Sequence, residues 1–233
     1  MKTLLKIAEP SVLAISFMLL ALTVISDLEN IALLSVLIIA FSMVPFFLRF
    51  EHAKPKPRDI VPIAVMSVIA ALGRVLFNFI PGFQPVTAIV IVTGIIFGPQ
   101  SGFLAGALAA FTSNMFLGHG PWTLWQMLGW ALAGYAAGLL ARTSLFNKKI
   151  LIYIYGFAIS VLYGWFLNLW VLAGYIRPLT WQAVLSVYAA SLYPDMAHAV
   201  STVLFLAFTL VPWRRKLERL KIKYGIVNSD ISG

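Results

Sequence analysis

Residues 74–142 read RVLFNFIPGFQPVTAIVIVTGIIFGPQSGFLAGALAAFTSNMFLGHGPWTLWQMLGWALAGYAAGLLAR, and this stretch decides the fold. Its three apolar segments are separated at residues 97–99 and 118–121. Small residues recur at every fourth position, as Gly98, Gly102, Gly106 and Ala110 on one helical face and as Gly129, Ala133, Ala137 and Ala141 on another. Helices in lipid associate through close backbone contact, which small residues one turn apart permit. The stretch therefore predicts the tightly packed centre of a membrane helix bundle.

The composition indicates a chain that lies mostly in lipid. Of the 233 residues, 61% are hydrophobic and 11% are charged, whereas a soluble domain carries about a quarter charged residues. The mean hydropathy is +0.93. Cysteine is absent, which excludes disulfides, thiolate metal sites and cysteine nucleophiles. We therefore expect an all-α polytopic membrane protein.

Apolar segments of helical length predict the transmembrane helices, since a spanning helix needs about 20 mostly apolar residues. The candidates are residues 10–26, 31–49, 59–80, 85–98, 100–117, 121–141, 150–176 and 182–213. The fourth is short for a full span. The first also has the basic start and apolar run of a signal peptide, but no A-x-A cleavage site follows it, so we favour a retained helix.

A proline-containing linker divides the chain. Residues 51–58, EHAKPKPR, cannot continue a buried helix because their prolines lack the amide hydrogen that a helix interior needs. They form a cytoplasmic basic linker between an additional N-terminal pair of transmembrane helices, residues 1–50, and a six-helix transmembrane bundle, residues 59–213. Residues 214–233 are expected to form a basic cytoplasmic tail that begins with a short surface helix.

The basic residues predict the orientation in the cell membrane. With the N-terminus inside, the cytoplasmic segments hold Lys2, Lys6, Arg49, Lys54, Lys56, Arg58, Arg142, Lys148, Lys149, Arg214, Arg215, Lys216, Arg219, Lys221 and Lys223. The outside segments hold Arg177, Asp27 and Glu29. This positive-inside distribution places both termini in the cytoplasm. It also explains the net charge of +9 without nucleic acid.

Polar residues inside the apolar segments mark function or structural bonds, because they are costly in lipid. They are Arg74, Asn78, Asn114, Gln126, Asn168, Asp195 and His198. All are expected between the midplane and the outer surface, whereas the inner halves carry small residues. The sequence therefore predicts an outward-facing polar cavity above a closely packed inner half.

Some of these residues have structural alternatives. Arg74 and Asp195 either pair with each other or contact a ligand. Asp195 and His198 share a helical face and could instead form a proton relay. His119 is either a turn residue or a ligand to a metal-containing substrate. His52 lies on the cytoplasmic side, so no histidine cluster predicts a resident metal site.

Motifs for catalysis are missing. The sequence has no G-x-x-x-x-G-K-[ST] for binding nucleotide phosphates and no G-x-S-x-G or H-E-x-x-H. We expect a protein that is not an enzyme and has no cofactor.

The residues that carry most information resemble a known family. Residues 97–114, FGPQSGFLAGALAAFTSN, and residues 120–138, GPWTLWQMLGWALAGYAAG, are similar to the substrate-binding S components of energy-coupling factor (ECF) vitamin transporters. The resemblance covers residues 58–213 and is greatest to the group associated with cobalamin uptake. It implies that the chain captures a vitamin from outside, while a separate transmembrane coupling subunit and a pair of ATPases power its release inside.

The resemblance also implies sites. In this family an Ala-x-x-x-Ala pattern on the first body helix docks the coupling subunit; here Ser67-x-x-x-Ala71 comes nearest, with Ala64 and Ala70 beside it. The substrate is covered by the loops between body helices. The expected binding residues are Phe83, Gln84, His119, Trp122, Gln126, Asn168, Tyr175 and Arg177, with Arg74, Asn78, Asn114 and Asp195 as cavity floor or structural bonds. The N-terminal pair departs from the usual six helices.

The sequence is compatible with three functions. The first is the S component of an ECF importer, with cobalamin as the expected substrate and riboflavin, thiamine, pantothenate or queuosine precursors as alternatives. The second is a proton-coupled secondary transporter in which Asp195 and His198 titrate. The third is a scaffold whose polar residues only join helices.

Overall fold

The computed structural model describes residues 2–25 and 31–226, and the side chains of residues 8–22 and 32–226. Over these residues the chain is helical and contains no β-strand. The helices are α1 (Lys2–Ile25), α2 (Ile31–His52), α3 (Pro57–Leu76), α4 (Val86–Phe97), α5 (Pro99–Leu117), α6 (Trp122–Leu140), α7 (Lys149–Tyr175) and α8 (Trp181–Lys223), with a 3-10 turn at Ser144–Asn147. Four of the described helices, α2, α3, α7 and α8, are long and apolar enough to cross a membrane. The predicted all-α polytopic membrane fold is confirmed.

Each predicted segment corresponds to one helix, and the differences lie at the ends. Helix α3 ends at Leu76, so Asn78 lies in the turn that follows. Helix α8 continues to Lys223, so the helix predicted after residue 213 is continuous with the last transmembrane segment. Helix α4 has 12 residues, which at about 1.5 Å per residue is too short to cross a hydrocarbon core of about 30 Å. Asp27, Glu29 and residues 227–233 lie outside the described residues.

The small residues of the central stretch form the tightest packing in the bundle. A Cβ atom built on either Gly94 of α4 or Gly102 of α5 would collide with the carbonyl oxygen of Gly134 of α6. One built on Gly106 would collide with the backbone of Trp130. Small residues thus let the backbones of α4, α5 and α6 touch. Gly102 and Gly106 of α5 belong to the predicted face, but on α6 the contact is made at Gly134 and Gly138, whereas Gly129 of the predicted α6 face lies against Tyr163 of α7.

The turn between α4 and α5 is a single residue. Gly98 has a φ of 93°, a conformation that only glycine adopts readily. Pro99 follows at the first position of α5, where a missing amide hydrogen costs nothing. The two residues reverse the chain and bring Gly94 and Gly102 to the same contact on α6.

The N-terminal pair is attached to the body by a buried carboxylate. Glu9 of α1 is 1% exposed and accepts hydrogen bonds from Arg49 of α2, from Gln100 Nε2 of α5 at 2.6 Å and from the Tyr135 hydroxyl of α6 at 2.7 Å. Phe46 of α2 stacks on Phe103 of α5 with 4.1 Å between ring centroids. The pair therefore packs on α5 and α6, and the division of the chain at residues 51–58 stays a prediction.

Replacing Gly134 by alanine tests the packing of α4, α5 and α6. We expect Gly134→Ala to destabilise the protein by about 2 kcal/mol, because the added methyl group meets backbone that cannot move aside. The measurement is thermal unfolding of the purified protein in detergent. Gly174→Ala is the control, since a Cβ there would lie 3.5 Å from its nearest neighbour, an ordinary contact. Equal melting temperatures for the two variants would contradict the proposed crossing.

Replacing Glu9 by glutamine tests the attachment of the N-terminal pair. We expect Glu9→Gln to cost about 3 kcal/mol, because it removes the buried charge on which Arg49, Gln100 and Tyr135 converge. Thermal unfolding is again the measurement, and Glu51→Gln is the control because Glu51 is an exposed carboxylate near the end of α2. A Glu9→Gln variant as stable as this control would show that the network contributes no stability.

Candidate functional site

A polar layer lies beneath the end of the bundle where residues 77–85, 118–121 and 176–180 connect the helices; we call it the connection end. On one side of the layer, Arg74 of α3 donates through Nη1 to Ser113 Oγ at 2.7 Å and to Asn114 Oδ1 at 2.6 Å. Asn114 Nδ2 in turn donates to Thr123 Oγ1 at 3.0 Å and to Gln126 Oε1 at 2.7 Å. One amide thus joins α3, α5 and α6.

Arg74 and Asp195 do not pair with each other. The hydrogen bonds of Arg74 go to α5, and its Cζ lies 4.9 Å from the centroid of the Trp130 ring. Asp195 of α8 lies against α7, where a Cβ atom built on Gly164 would collide with its carboxylate. The alternative in which Arg74 and Asp195 pair with each other is therefore not the arrangement that the described residues adopt.

His198 of α8 is bonded at both ring nitrogens. Its Nδ1 lies 3.0 Å from Gln84 Nε2, which places the two groups in hydrogen-bond contact. Its Nε2 lies 2.7 Å from Thr87 Oγ1, and Trp130 Nε1 donates to the same hydroxyl at 3.0 Å. Because neither ring nitrogen is bonded to Asp195, the described residues do not form the Asp195–His198 relay.

A stack of rings connects the two sides of the layer. Trp130 of α6 stacks on Tyr163 of α7 at 4.5 Å and 19°, and Tyr163 lies at 5.6 Å and 18° from His198. Trp130 therefore contacts Arg74 and Tyr163, and it links the two sides of the layer.

A cavity of about 270 Å³ opens between the start of α4 and helices α7 and α8. Its lining includes three residues that the sequence predicts, Gln84, Asn168 and Asp195. Asn168 Nδ2 donates to Ser191 Oγ at 2.7 Å. Two buried polar atoms of the lining, Asp195 Oδ2 and the Tyr163 hydroxyl, have no hydrogen-bond partner among the described residues. Unpartnered polar atoms in a cavity are suited to bind a polar ligand.

The other predicted binding residues lie apart from this cavity. Phe83 packs on Phe77 and Phe205 at 5.6 Å and 5.3 Å between ring centroids. His119 lies 5.1 Å from the ring of Phe111. Trp122 is half-buried and Asn78 is exposed. None of these side chains contributes to the cavity lining.

The connection from α7 to α8 holds two more predicted residues. Tyr175 and Arg177 are exposed, and Tyr175 ends α7. From Asn168, the lining residue of α7 nearest to this connection, to Tyr175 the helix rises roughly 10 Å at about 1.5 Å per residue. Both residues therefore lie near the tip of a hairpin and outside the cavity lining, and their role in binding stays a prediction.

Sequence reasoning missed three residues on which the site depends, namely Thr87, Tyr163 and Gly164. Trp130 also gives no clear signal in the sequence, because tryptophan is common at the membrane surface. The available signal was depth, since Trp130 and Tyr163 lie more than one turn inside α6 and α7. An interfacial ring belongs near a helix end.

The predicted docking residues divide by exposure. Ala64 is exposed on α3, whereas Ser67, Ala70 and Ala71 are buried in the bundle. The Ser67 hydroxyl donates to the Ile63 carbonyl oxygen at 2.7 Å. Docking through this helix stays a prediction, and Ala64 is the member of the set that a partner could reach here.

Replacing Asn114 tests whether the layer holds the helices together. We expect Asn114→Ala to destabilise the protein by about 2 kcal/mol, because it leaves Arg74 and Gln126 short of buried partners. Thermal unfolding measures the effect, and Asn78→Ala is the matched control at an exposed asparagine. Similar losses for both variants would show that the bonds of Asn114 add nothing.

Comparison with known proteins agrees with this architecture. The family model of the ECF-type riboflavin transporter S component matches residues 54–211. A UPF0397 protein of Aliivibrio fischeri (strain MJ11) is 28% identical over 104 residues, which is 40% of this chain and 56% of that protein. A UPF0397 protein of Vibrio atlanticus (strain LGP32) is 29% identical over 87 residues, 35% of this chain and 47% of that protein.

The chain therefore spans about half the length of the curated relatives that it matches. No solved structure matches the chain. The family model covers more than half of the sequence, including α3 to α7 and most of α8. The protein belongs to the family of ECF-type riboflavin transporter S components.

Proposed function

We propose that this chain is the substrate-specific membrane subunit of an ECF-type importer and that it captures a vitamin in the cavity beneath the connection end. The proposal rests on the cavity of about 270 Å³ with two unpartnered buried polar atoms, in a chain of this family. A separate transmembrane coupling subunit and a pair of ATPases supply the energy, in keeping with a sequence that has no nucleotide-binding loop.

The size of the cavity bears on the substrate. Pockets for small molecules measure about 300–1,000 Å³, so this one, at about 270 Å³, lies just below that range and suits a compact substrate or a substrate fragment of two or three fused rings. Riboflavin, the vitamin in the family's name, contains a system of three fused rings. Cobalamin, the expectation from the sequence resemblance, would need the 77–85 connection and the α7–α8 hairpin to move apart. We therefore propose a vitamin with a compact heterocycle, with cobalamin as the alternative.

The orientation follows from the charges. The connection end carries Arg177, whereas the opposite end carries Arg142, Lys148, Lys149 and the basic last turns of α8. The positive-inside rule places this opposite end in the cytoplasm and the cavity towards the outside. Both termini are then cytoplasmic.

A docking face for the coupling subunit is available on α3. Ala64 lies among the exposed apolar side chains of Val61, Val65 and Val68. Because the small side chain of Ala64 would allow a partner helix to approach closely, this face fits the docking role that the family resemblance implies.

A proton-coupled transporter remains the alternative, because Asp195 and His198 line the same cavity. The two mechanisms differ in their energy source. Uptake in cells should require the ATPase subunits and survive an uncoupler if the first proposal holds. Uptake by this chain alone that collapses with an uncoupler would favour the alternative.

Ligand binding by the purified chain is the direct test. We expect one of riboflavin, cobalamin, thiamine or pantothenate to raise the melting temperature without ATP, because a ligand that binds only the folded state adds about 2.7 kcal/mol at 100 times its dissociation constant. Asn168→Ala should reduce this shift, since Asn168 lines the cavity. Asn78→Ala is the control. A panel in which no vitamin stabilises the protein would contradict the proposal.

A further inference from the structure

The Asp195 carboxylate of the cavity is buried, and few groups of the protein compensate its charge. Its residue is 8% exposed, and Oδ2 has no hydrogen-bond partner among the described residues. The Ser191 hydroxyl, one turn earlier on α8, donates to the Tyr188 carbonyl oxygen at 3.2 Å. Burying a carboxylate is costly unless a cation or several hydrogen-bond donors face it, so a ligand that supplies a donor here gains more than it would at the surface.

No basic side chain of the described residues compensates this carboxylate. Asp195 forms no ion pair in residues 32–226. Arg74 belongs to the same layer, but its guanidinium is bonded to Ser113 and Asn114 and does not line the cavity. The negative charge is therefore directed at whatever occupies the cavity.

The neighbouring amides can also accept hydrogen bonds from a ligand. Asn168 donates through Nδ2 to Ser191, and no described donor bonds its carbonyl oxygen. Gln84 uses its Nε2 in the contact with His198, and its oxygen is likewise without a described donor. Each amide nitrogen carries a second N–H, so both residues can also donate. The Tyr163 hydroxyl, which can donate or accept, is unpartnered. The lining thus combines a carboxylate with two amides and one hydroxyl.

Gly164 fixes where the carboxylate lies. A Cβ atom at this position of α7 would collide with both Asp195 Oδ1 and Cγ. The absence of a side chain lets the carboxylate lie against the α7 backbone. The carboxylate is therefore held between two helices rather than free to turn away from the cavity.

We propose that Asp195 selects the substrate by accepting a hydrogen bond from an N–H group, either of a nitrogen heterocycle or of a protonated amine. The oxygens of Asn168 and Gln84 accept further donors of the same ligand, and the Tyr163 hydroxyl donates to a ring carbonyl or nitrogen. Ligands that bring a carboxylate or phosphate into this cavity are rejected by like charge. The inference rests on the proposed function, because it names the substrate class of the same cavity.

The first test compares ligands on the unchanged protein. Riboflavin and N3-methylriboflavin differ by one ring N–H, thiamine carries an aminopyrimidine and a positive charge, and pantothenate and biotin are anionic. Cobalamin completes the panel. We expect the vitamin with the lowest dissociation constant, measured with the full chain in nanodiscs, to come from the N–H donors. If riboflavin is that ligand, its N3-methyl form should bind about 10- to 100-fold more weakly. An anionic vitamin as the tightest ligand would overturn the inference.

The second test changes the protein. Asp195→Asn keeps the shape but removes the charge and places an N–H donor in the cavity. The dissociation constant of the Asp195→Asn variant for the vitamin identified above should rise about 10- to 100-fold. The melting temperature of the ligand-free variant should stay the same or rise. Glu218→Gln removes one carboxylate from the same helix at an exposed position, where it pairs with Arg214, and should change neither value.

The outcomes separate the two proposals. Binding that Asp195→Asn weakens by less than twofold would overturn the role of Asp195 and leave the importer subunit standing. A lower melting temperature of ligand-free Asp195→Asn, with affinity retained in the folded fraction, would assign Asp195 a structural role only. Failure of every vitamin in the panel to bind would refute the proposed function, and the inference would fail with it.

Discussion

The backbones of α5 and α6 touch each other, and the positions of the polar residues follow from this contact. Gly102 and Gly106 of α5 meet the backbone of Gly134 and Trp130 of α6 without an intervening side chain. In lipid no hydrophobic force draws helices together, so this contact must supply van der Waals attraction through shape alone. It also fixes the backbone of Trp130, whose ring then points to a defined place in the layer.

Trp130 transmits this packing to the polar residues. Its ring lies beneath Arg74, stacks on Tyr163 and donates its only N–H to Thr87. Thr87 in turn holds His198. A change in the crossing of α5 and α6 would therefore displace both the Asn114 network and the wall of the cavity, although neither contains a glycine of that crossing.

The helices and the packed faces could be predicted because their signals are local. An apolar run of helical length, a glycine every fourth residue and the Gly98–Pro99 turn each act within a few residues of chain. The polar layer could be located for a similar reason, since Arg74, Asn114 and Asp195 each interrupt an apolar run at a similar depth. The family resemblance added the expected binding loops.

The partners within the layer could not be predicted in this way. Whether Arg74 meets Asn114 or Asp195 depends on the relative rotation of α3, α5 and α8, which the sequence pattern does not state. Charge suggested the pair Arg74–Asp195, but an amide and a hydroxyl one helix away satisfy the guanidinium instead. The contact of Gly164 with Asp195 joins positions far apart in the chain, and it depends on the register of the α7–α8 hairpin.

Two buried carboxylates show how the same cost leads to different roles. Glu9 accepts hydrogen bonds from an arginine, an amide and a tyrosine, so its charge is compensated within the protein and serves to hold α1 and α2 on the body. Asp195 is buried to a similar degree, yet one of its oxygens has no partner in the described residues. A group that lowers stability persists in a folded protein when it contributes to something other than stability. Asn114 accepts from Arg74 and donates to Gln126, so this side of the layer is bonded within the protein, whereas we propose that Asp195 and the Tyr163 hydroxyl belong to the surface that a ligand would complete.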